Sequence, residues 1–329
     1  MQKVLITGGA GFVGRRFCKH FLEAGAHVVC VDSLVPLTGA RDPEKGWPLF
    51  DPREYGNRFE FRREDCRDYY GTQFDDDFEY ALHLAAIVGG REVIERQPLA
   101  VAEDLAIDAA YWRWAQKAQP GRSIMFSSSA AYPVSLQRKD GHVLLSEDMI
   151  DFDKPIGVPD LTYGWAKLTC EYVGRLAYEK HGMKSVVYRP FSGYGEDQDL
   201  TYPFPSIIKR VLNARGASEI PVWGSGDQMR DFIYIDDCVR GVIQTMDQIE
   251  DGSAINLSTG IGTSFKQLTR AVAEQLGFSP VVNGMSDKPE GVFARVGDTT
   301  LQARLGFRAQ TDLMSGIAKA TAYFSALKE

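Results

Sequence analysis

Tyr163 and Lys167 stand four residues apart in Thr162-Tyr-Gly-Trp-Ala-Lys167, at the start of a helical pattern that continues through Cys170, Glu171 and Val173. Four residues is about one helical turn, so both side chains leave the same face and can address one atom. A phenol with an ordinary pKa of about 10 is a poor base at neutral pH. An ammonium held near it favours the phenolate, and the pair can then take a proton from a substrate hydroxyl. The start of the helix adds positive potential. Upstream, Phe126-Ser-Ser-Ser-Ala-Ala-Tyr132-Pro follows a strand-like run and offers serine hydroxyls to the same substrate oxygen.

A second constellation lies at the beginning of the chain, in Thr7-Gly-Gly-Ala-Gly-Phe-Val-Gly14. Gly8, Gly11 and Gly14 punctuate a turn between an apolar strand and an amphipathic helix that opens at Phe12 and Val13. So tight a turn needs residues without a Cβ, which lets backbone N–H groups approach a pyrophosphate at the positive end of the helix. The next strand ends in Asp32, eighteen residues beyond Gly14. A carboxylate there accepts hydrogen bonds from ribose hydroxyls and repels the extra phosphate of NADP, or else it simply opens the following loop. The expected cofactor is NAD. Arg41 is the only basic residue between Asp32 and Lys45, and its place relative to Asp32 is open.

The elements that must position these groups follow from periodicity. Strand-like runs at 2–7, 27–31, 59–63, 80–84, 123–127 and 184–189 alternate with helical stretches at 12–24, 98–119 and 162–181. Such repetition predicts an α/β fold with a doubly wound parallel sheet, whose ligands sit at the carboxyl ends of the strands. Residues 1–190 are expected to form the dinucleotide-binding domain, with 235–258 returning to it, and 191–329 a smaller, interleaved substrate domain. The stretch from Ser33 to Arg58 holds four prolines and three glycines and is either a lid or surface decoration.

With 44% hydrophobic residues the chain can bury a large core, and a net charge of −7 provides no basic field for nucleic acid or an anionic membrane. No apolar run approaches a membrane span, which points to a cytoplasmic protein. The five cysteines are scattered and lack metal-ligand spacing, so they read as reduced packing residues, with no metal expected. His83 ends an apolar strand and reads as a buried, hydrogen-bonded side chain.

Together these features resemble the extended short-chain dehydrogenase/reductase family, in its NAD-dependent sugar-nucleotide epimerase/dehydratase branch. The resemblance extends through Asp65 in Glu64-Asp-Cys-Arg-Asp68, His83-Leu-Ala-Ala86, Arg189-Pro-Phe-Ser-Gly-Tyr-Gly195, and the run from Gly224 to Asp237. It implies a Rossmann-type fold in which Asp65 and Cys66 border adenine, Leu84, Ala85 and Ala86 line the cofactor, and Arg230 grips the substrate diphosphate. It also places the catalytic hydroxyl four residues before Tyr132, at Ser128, with Ser129 as the fallback.

Dehydratases of the branch carry an acidic pair after that position, where this chain has Ser129 and Ala130; its 3,5-epimerases use a cysteine where Ala130 stands. A 4-epimerase needs no further acid or base, and the resemblance favours that reaction. C4 oxidation or 4-keto reduction would use the same residues, and 4,6-dehydration or 3,5-epimerisation would need groups from another loop. Ser192 stands where the family often has Asn in contact with the sugar nucleotide, and Val88-Gly-Gly-Arg91 is similar to a loop of enzymes acting on GDP-sugars. The expected substrate is therefore a UDP- or GDP-linked sugar.

The family also forms dimers through a four-helix bundle, which would include the helix bearing Trp112 and Trp114; packing against the sheet is the other use for them. Two further readings are a catalytically silent NAD-binding regulator and an oxidoreductase for a free carbonyl or steroid-like alcohol. Intact Ser128, Tyr163 and Lys167 oppose the first, and Arg230 opposes the second.

Overall fold

The computed structural model describes residues 1–327 except 75, 76, 88, 90, 286 and 289. Six parallel strands, β1 (Lys3–Thr7), β2 (His27–Val31), β3 (Phe59–Arg62), β4 (Tyr80–His83), β5 (Arg122–Phe126) and β6 (Ser185–Pro190), join the strand Asp251–Leu257 in one sheet. Its order is β3-β2-β1-β4-β5-β6 followed by Asp251–Leu257. The direction of winding reverses between β1 and β4, and in such sheets ligands bind in the crevice outside that reversal.

Alternation along the strands sends successive side chains to opposite faces. Helix α1 (Phe12–Glu23) packs Phe17 on Phe126 and Phe21 on Tyr80. On the other face, Leu5, Ala81, Met125 and Val187 share a core with α2 (Cys66–Thr72) and two longer helices. The expected helix over 98–119 is divided. After α3 (Arg91–Arg96), a short α4 (Pro98–Val101) leads into α5 (Glu103–Ala118), which ends at Gln119 with a φ of +51°. The next helix, α6 (Leu161–His181), stops at Gly182, whose left-handed φ of +65° closes its C-terminus.

Trp114 is 1% and Trp112 6% exposed, so both pack internally, Trp112 against Gly174 of α6. Of the two uses the sequence offered for this pair, the burial is that of internal packing. The 33–58 segment forms three 3-10 turns, each opening on a proline, and Trp47 anchors it on Phe50 and Phe59. Arg41 N–H donates to Ala10 O, so the segment lies against the glycine turn.

The chain divides into two units, residues 1–131, 159–189 and 242–255 in the first and 132–158, 190–241 and 256–329 in the second. Residues 132–158, left in the first domain by the sequence reading, belong to the second because long-range hydrogen bonds claim them. Tyr132 OH donates to Asn256 Oδ1 at 2.7 Å, and Leu145 N–H to Val296 O at 2.9 Å. The returning segment is shorter than 235–258, since Gly241 packs on Leu257 and Phe307 while Asp237 accepts from Gln310 and Thr311 N–H.

Within the second unit, Met229–Tyr234 is the centre of a small sheet and Glu219–Trp223 pairs in parallel with Val281–Met285. Among the described residues, no helix is long and apolar enough to cross a membrane.

One buried ion pair ties α6 to the sheet. Arg189 and Glu171, each 2% exposed, meet at 2.6 Å, and Ser127 Oγ donates to the same carboxylate. Removing one member strands a buried charge, so Glu171→Ala is expected to cost about 3–5 kcal/mol. Urea unfolding of the variant measures this; a loss under about 1 kcal/mol would mean that the guanidinium finds other partners.

Candidate active site

After β1 the chain turns at Gly8, whose φ is +71° and whose N–H donates to Val31 O at 2.8 Å. A Cβ at Gly8 would lie 2.7 Å from Ala85 N, and one at Gly14 would lie 2.3 Å from Gly8 O. Only hydrogen fits at either point, so the turn, the start of α1 and the loop after β4 meet main chain to main chain. Leu84 N–H donates to Thr7 O, and Ala85 and Ala86 continue that loop.

Gly11 caps α1 without any side-chain acceptor, and no acidic residue occupies the first turn. The amides opening this helix, Phe12 and Val13 among them, have no intrahelical acceptor and suit an anionic phosphate.

Asp32 is 8% exposed, with Oδ2 accepting from Ala10 N–H at 3.0 Å and Oδ1 from Leu34 N–H at 2.8 Å. Burial raises its pKa, while the two N–H donors and Arg15 pull it back. Its carboxylate thus stands beside the glycine turn at the end of β2. Asp65 caps α2 by accepting from Arg67 N–H and pairs with the Arg67 guanidinium at 2.8 Å. Cys66 follows, buried, its thiol pushed up to about 12 by desolvation. A glycine turn, an unopposed helix start and a carboxylate after the second strand form a donor and acceptor set that fits a dinucleotide.

The groups expected to handle protons, Ser128, Tyr163 and Lys167, lie in the same unit. Asp160 N–H donates to Ala130 O, and a Cβ on Gly164 would lie 2.4 Å from that oxygen. Gly164 therefore lets α6 touch the turn after β5, which brings Tyr163 next to Ser128. Leu161 enters the helix at a φ of +54°, a costly conformation for a leucine. Ser128 Oγ accepts from Ala130 N–H at 3.1 Å, and its side chain also eases ionisation of the Tyr163 phenol. Ser128 retains partial exposure, whereas Ser129 is only 5% exposed.

Burial pushes the Tyr163 phenol up, Lys167 and Ser128 lower it, and Asp104 adds to the rise. Lys167 is 4% exposed, with Nζ 5.9 Å from the Tyr163 ring centre. Burial opposes its charge, but Asp108, Asp104 and Tyr163 outweigh that and hold the ammonium above its ordinary range.

Asp104 and Asp108 were not singled out from the sequence. Their signal was two acids one helical turn apart beside Ile107 and Tyr111, on an otherwise apolar face. Asp108 Oδ1 lies 3.0 Å from His83 Nε2, and His83 Nδ1 lies 3.0 Å from both Thr7 Oγ1 and Tyr70 OH. His83 also stacks on Tyr111, and desolvation lowers its pKa, so it remains a neutral core residue.

Val88 lies outside the described residues; Arg91 just beyond it pairs with Asp160, the N-cap residue of α6, at 2.9 Å. Two expected site residues belong to the second unit. Ser192 pairs with Phe232 on the strand register. Arg230 lies 5.6 Å from the Phe265 ring centre and donates to Met229 O and Val292 O. Nearby, Asp227 pairs with Lys266, and Asp231 accepts from Thr259, Gly260 and Gly297 N–H.

Comparison with known proteins finds the NAD dependent epimerase/dehydratase family matching residues 4–258. A GDP-L-colitose synthase of Yersinia pseudotuberculosis is 24% identical over 98% of both chains. Among solved structures, a UDP-glucose 4-epimerase of Thermotoga maritima shares the fold with a TM-score of 0.79 and 24% identity, covering 98% of this chain and 99% of that one. A dTDP-glucose 4,6-dehydratase of Streptomyces venezuelae, solved with NAD, gives 0.82 at 21% identity, covering 98% and 97%.

Replacing the Asp32 carboxylate tests the dinucleotide fit. Asp32→Asn is expected to weaken NAD about tenfold and to erode discrimination against NADP, as read by fluorescence titration with each. An unchanged NAD to NADP ratio would restrict Asp32 to tying Ala10 and Leu34.

Proposed function

The chain belongs to the NAD dependent epimerase/dehydratase family, and from that premise we propose that it is a nucleotide-sugar 4-epimerase working through a 4-keto sugar. One observation carries the reading. Ser128, Tyr163 and Lys167 converge where α6 touches the turn after β5, while Ser129 and Ala130 bring no acid or base to that turn. The arrangement supports proton transfer at a hydroxyl, and the turn after β5 carries no carboxylate or thiol for moving protons at carbon.

NAD, when bound, supplies the acceptor and donor of the C4 hydride. The amides at the start of α1, with Gly8, Gly11 and Gly14, would hold its pyrophosphate, Asp32 its ribose, and Asp65, Cys66, Leu84, Ala85 and Ala86 would flank it. The Tyr163 phenolate, stabilised by the Lys167 ammonium, takes the C4 hydroxyl proton, and Ser128 bonds the same oxygen. Return of that proton from Tyr163 completes either epimer.

Arg230 suits the substrate diphosphate because its planar fork can bind phosphate oxygens bidentately. Val88, Ser129 and Ser192 are the remaining substrate contacts in this reading, and the nucleotide is UDP or GDP. A homodimer belongs to the same reading. Its support is the exposed apolar face of Leu105 on α5 and Trp165 and Tyr172 on α6, 41–48% exposed.

The test incubates the purified protein and NAD with UDP-, GDP-, CDP- and dTDP-sugars, following NADH by absorbance and products by NMR in deuterated water. An inverted C4 centre without net NADH or solvent deuterium is expected. Stoichiometric NADH with a 4-keto product would instead make it a dehydrogenase, and deuterium at C3 or C5 would overturn the reading of Ser129 and Ala130. Tyr163→Phe is expected to lower kcat by roughly 10²–10⁴-fold. Arg230→Ala should raise KM about tenfold, and an unchanged KM would remove the diphosphate grip.

A further inference from the structure

A single carboxylate would neutralise the buried Lys167 ammonium, yet two face it. Asp104 and Asp108 are one turn apart on α5 and are 0% and 4% exposed. Asp108 is committed to His83 through Oδ1. Asp104 Oδ1 accepts from Ile87 N–H at 2.5 Å, and the Oδ2 atoms of both Asp104 and Asp108 are buried with no hydrogen-bond partner. An unpartnered carboxylate oxygen in that position is costly unless a charge beside it repays the burial.

The titratable groups facing this point are Asp104 and Asp108 from α5; Tyr163, Lys167 and Cys170 from α6; and His83 from β4. Ser128 reaches it from the turn after β5. Burial keeps His83 neutral and pushes the Cys170 thiol up. Charge near neutral pH is thus one ammonium against two carboxylates.

We propose that Asp104 is a positioning residue for the reaction, acting through Lys167: its free oxygen competes with Tyr163 for the ammonium and so sets how readily the tyrosine gives up its proton. This deepens the function proposed above and rests on Tyr163 being the group that accepts the hydroxyl proton.

Asp104 is the adjustable member of the pair. Lys167 and His83 hold the Asp108 carboxyl below its ordinary range against the opposing effect of burial. Desolvation pushes Asp104 up to about 6, with Lys167 pulling the other way. The sign follows: a charged Asp104 raises the proton affinity of Tyr163, and a neutral side chain there leaves Asp108 alone to oppose the Lys167 field at the phenol.

The test needs no substrate. The tyrosinate absorbance of the full chain is titrated with pH, and subtraction of the Tyr163→Phe trace isolates one tyrosine of the fourteen. Asp104→Asn, which keeps an acceptor for Ile87 N–H, is expected to lower the Tyr163 midpoint by about one pH unit or more. Asp104→Glu should return it towards the parent value. Asp104→Ser carries the same expectation as Asn should the amide impair folding. A midpoint in the Asn or Ser variant equal to the parent's overturns the proposal, as does a downward shift of the same size in the Glu variant. The midpoint is read whether or not any nucleotide sugar turns over, so failure of the reaction and failure of this assignment are separately visible.

Discussion

Around the candidate site, main chain touches main chain at Gly8, Gly14 and Gly164, and only hydrogen fits between. Gly8 meets the loop after β4, Gly14 meets Gly8, and Gly164 meets the turn after β5. Each contact removes the few ångströms that a side chain would impose. The first two bring the start of α1 against the point where the sheet reverses its winding; the third brings the Tyr163 phenol to Ser128. Nearly every other feature of the candidate site is a consequence of these approaches, because they set which groups share a small, dry volume.

Drying that volume makes its charges matter. Lys167, Asp104, Asp108, Glu171 and Arg189 are all buried, and each is answered by an opposite charge on another element. The Arg189 and Glu171 pair is closed, with hydrogen bonds from one guanidinium to both carboxylate oxygens, and it links α6 to β6. The Lys167 group is open, since one carboxylate oxygen of Asp104 and one of Asp108 are left without a donor. A closed pair gives rigidity, whereas an open one leaves a charge whose effect is felt by the adjacent phenol. Both kinds sit on α6, four residues apart, at Lys167 and Glu171.

The relatives show how much chemistry such a frame accommodates. Proteins sharing this fold are described as 4-epimerases and as a 4,6-dehydratase, so the fold by itself chooses no reaction. What differs must be a few side chains around a common hydride position. In this chain the turn after β5 is Ser127-Ser-Ser-Ala-Ala131, with small or hydroxyl side chains and no carboxylate or thiol. The restraint at that turn, rather than any added group, is the basis for favouring chemistry confined to C4.

Local patterns carried the glycine turn, Asp32 at the end of the second strand, the alternating strands and helices, and the Tyr163 and Lys167 spacing, since each depends on residues within one or two turns of the chain. The buried, hydrogen-bonded state of His83 was legible for the same reason, as it closes a short apolar strand. Only the tertiary structure decided what lies across from these residues. It set Asp104 and Asp108 against Lys167, turned both Trp112 and Trp114 inward, broke the long helix at Ala102, and gave residues 132–158 to the second unit through bonds to Asn256 and Val296. Those outcomes join positions tens of residues apart, and periodicity records which face of an element is apolar without naming the element that will cover it.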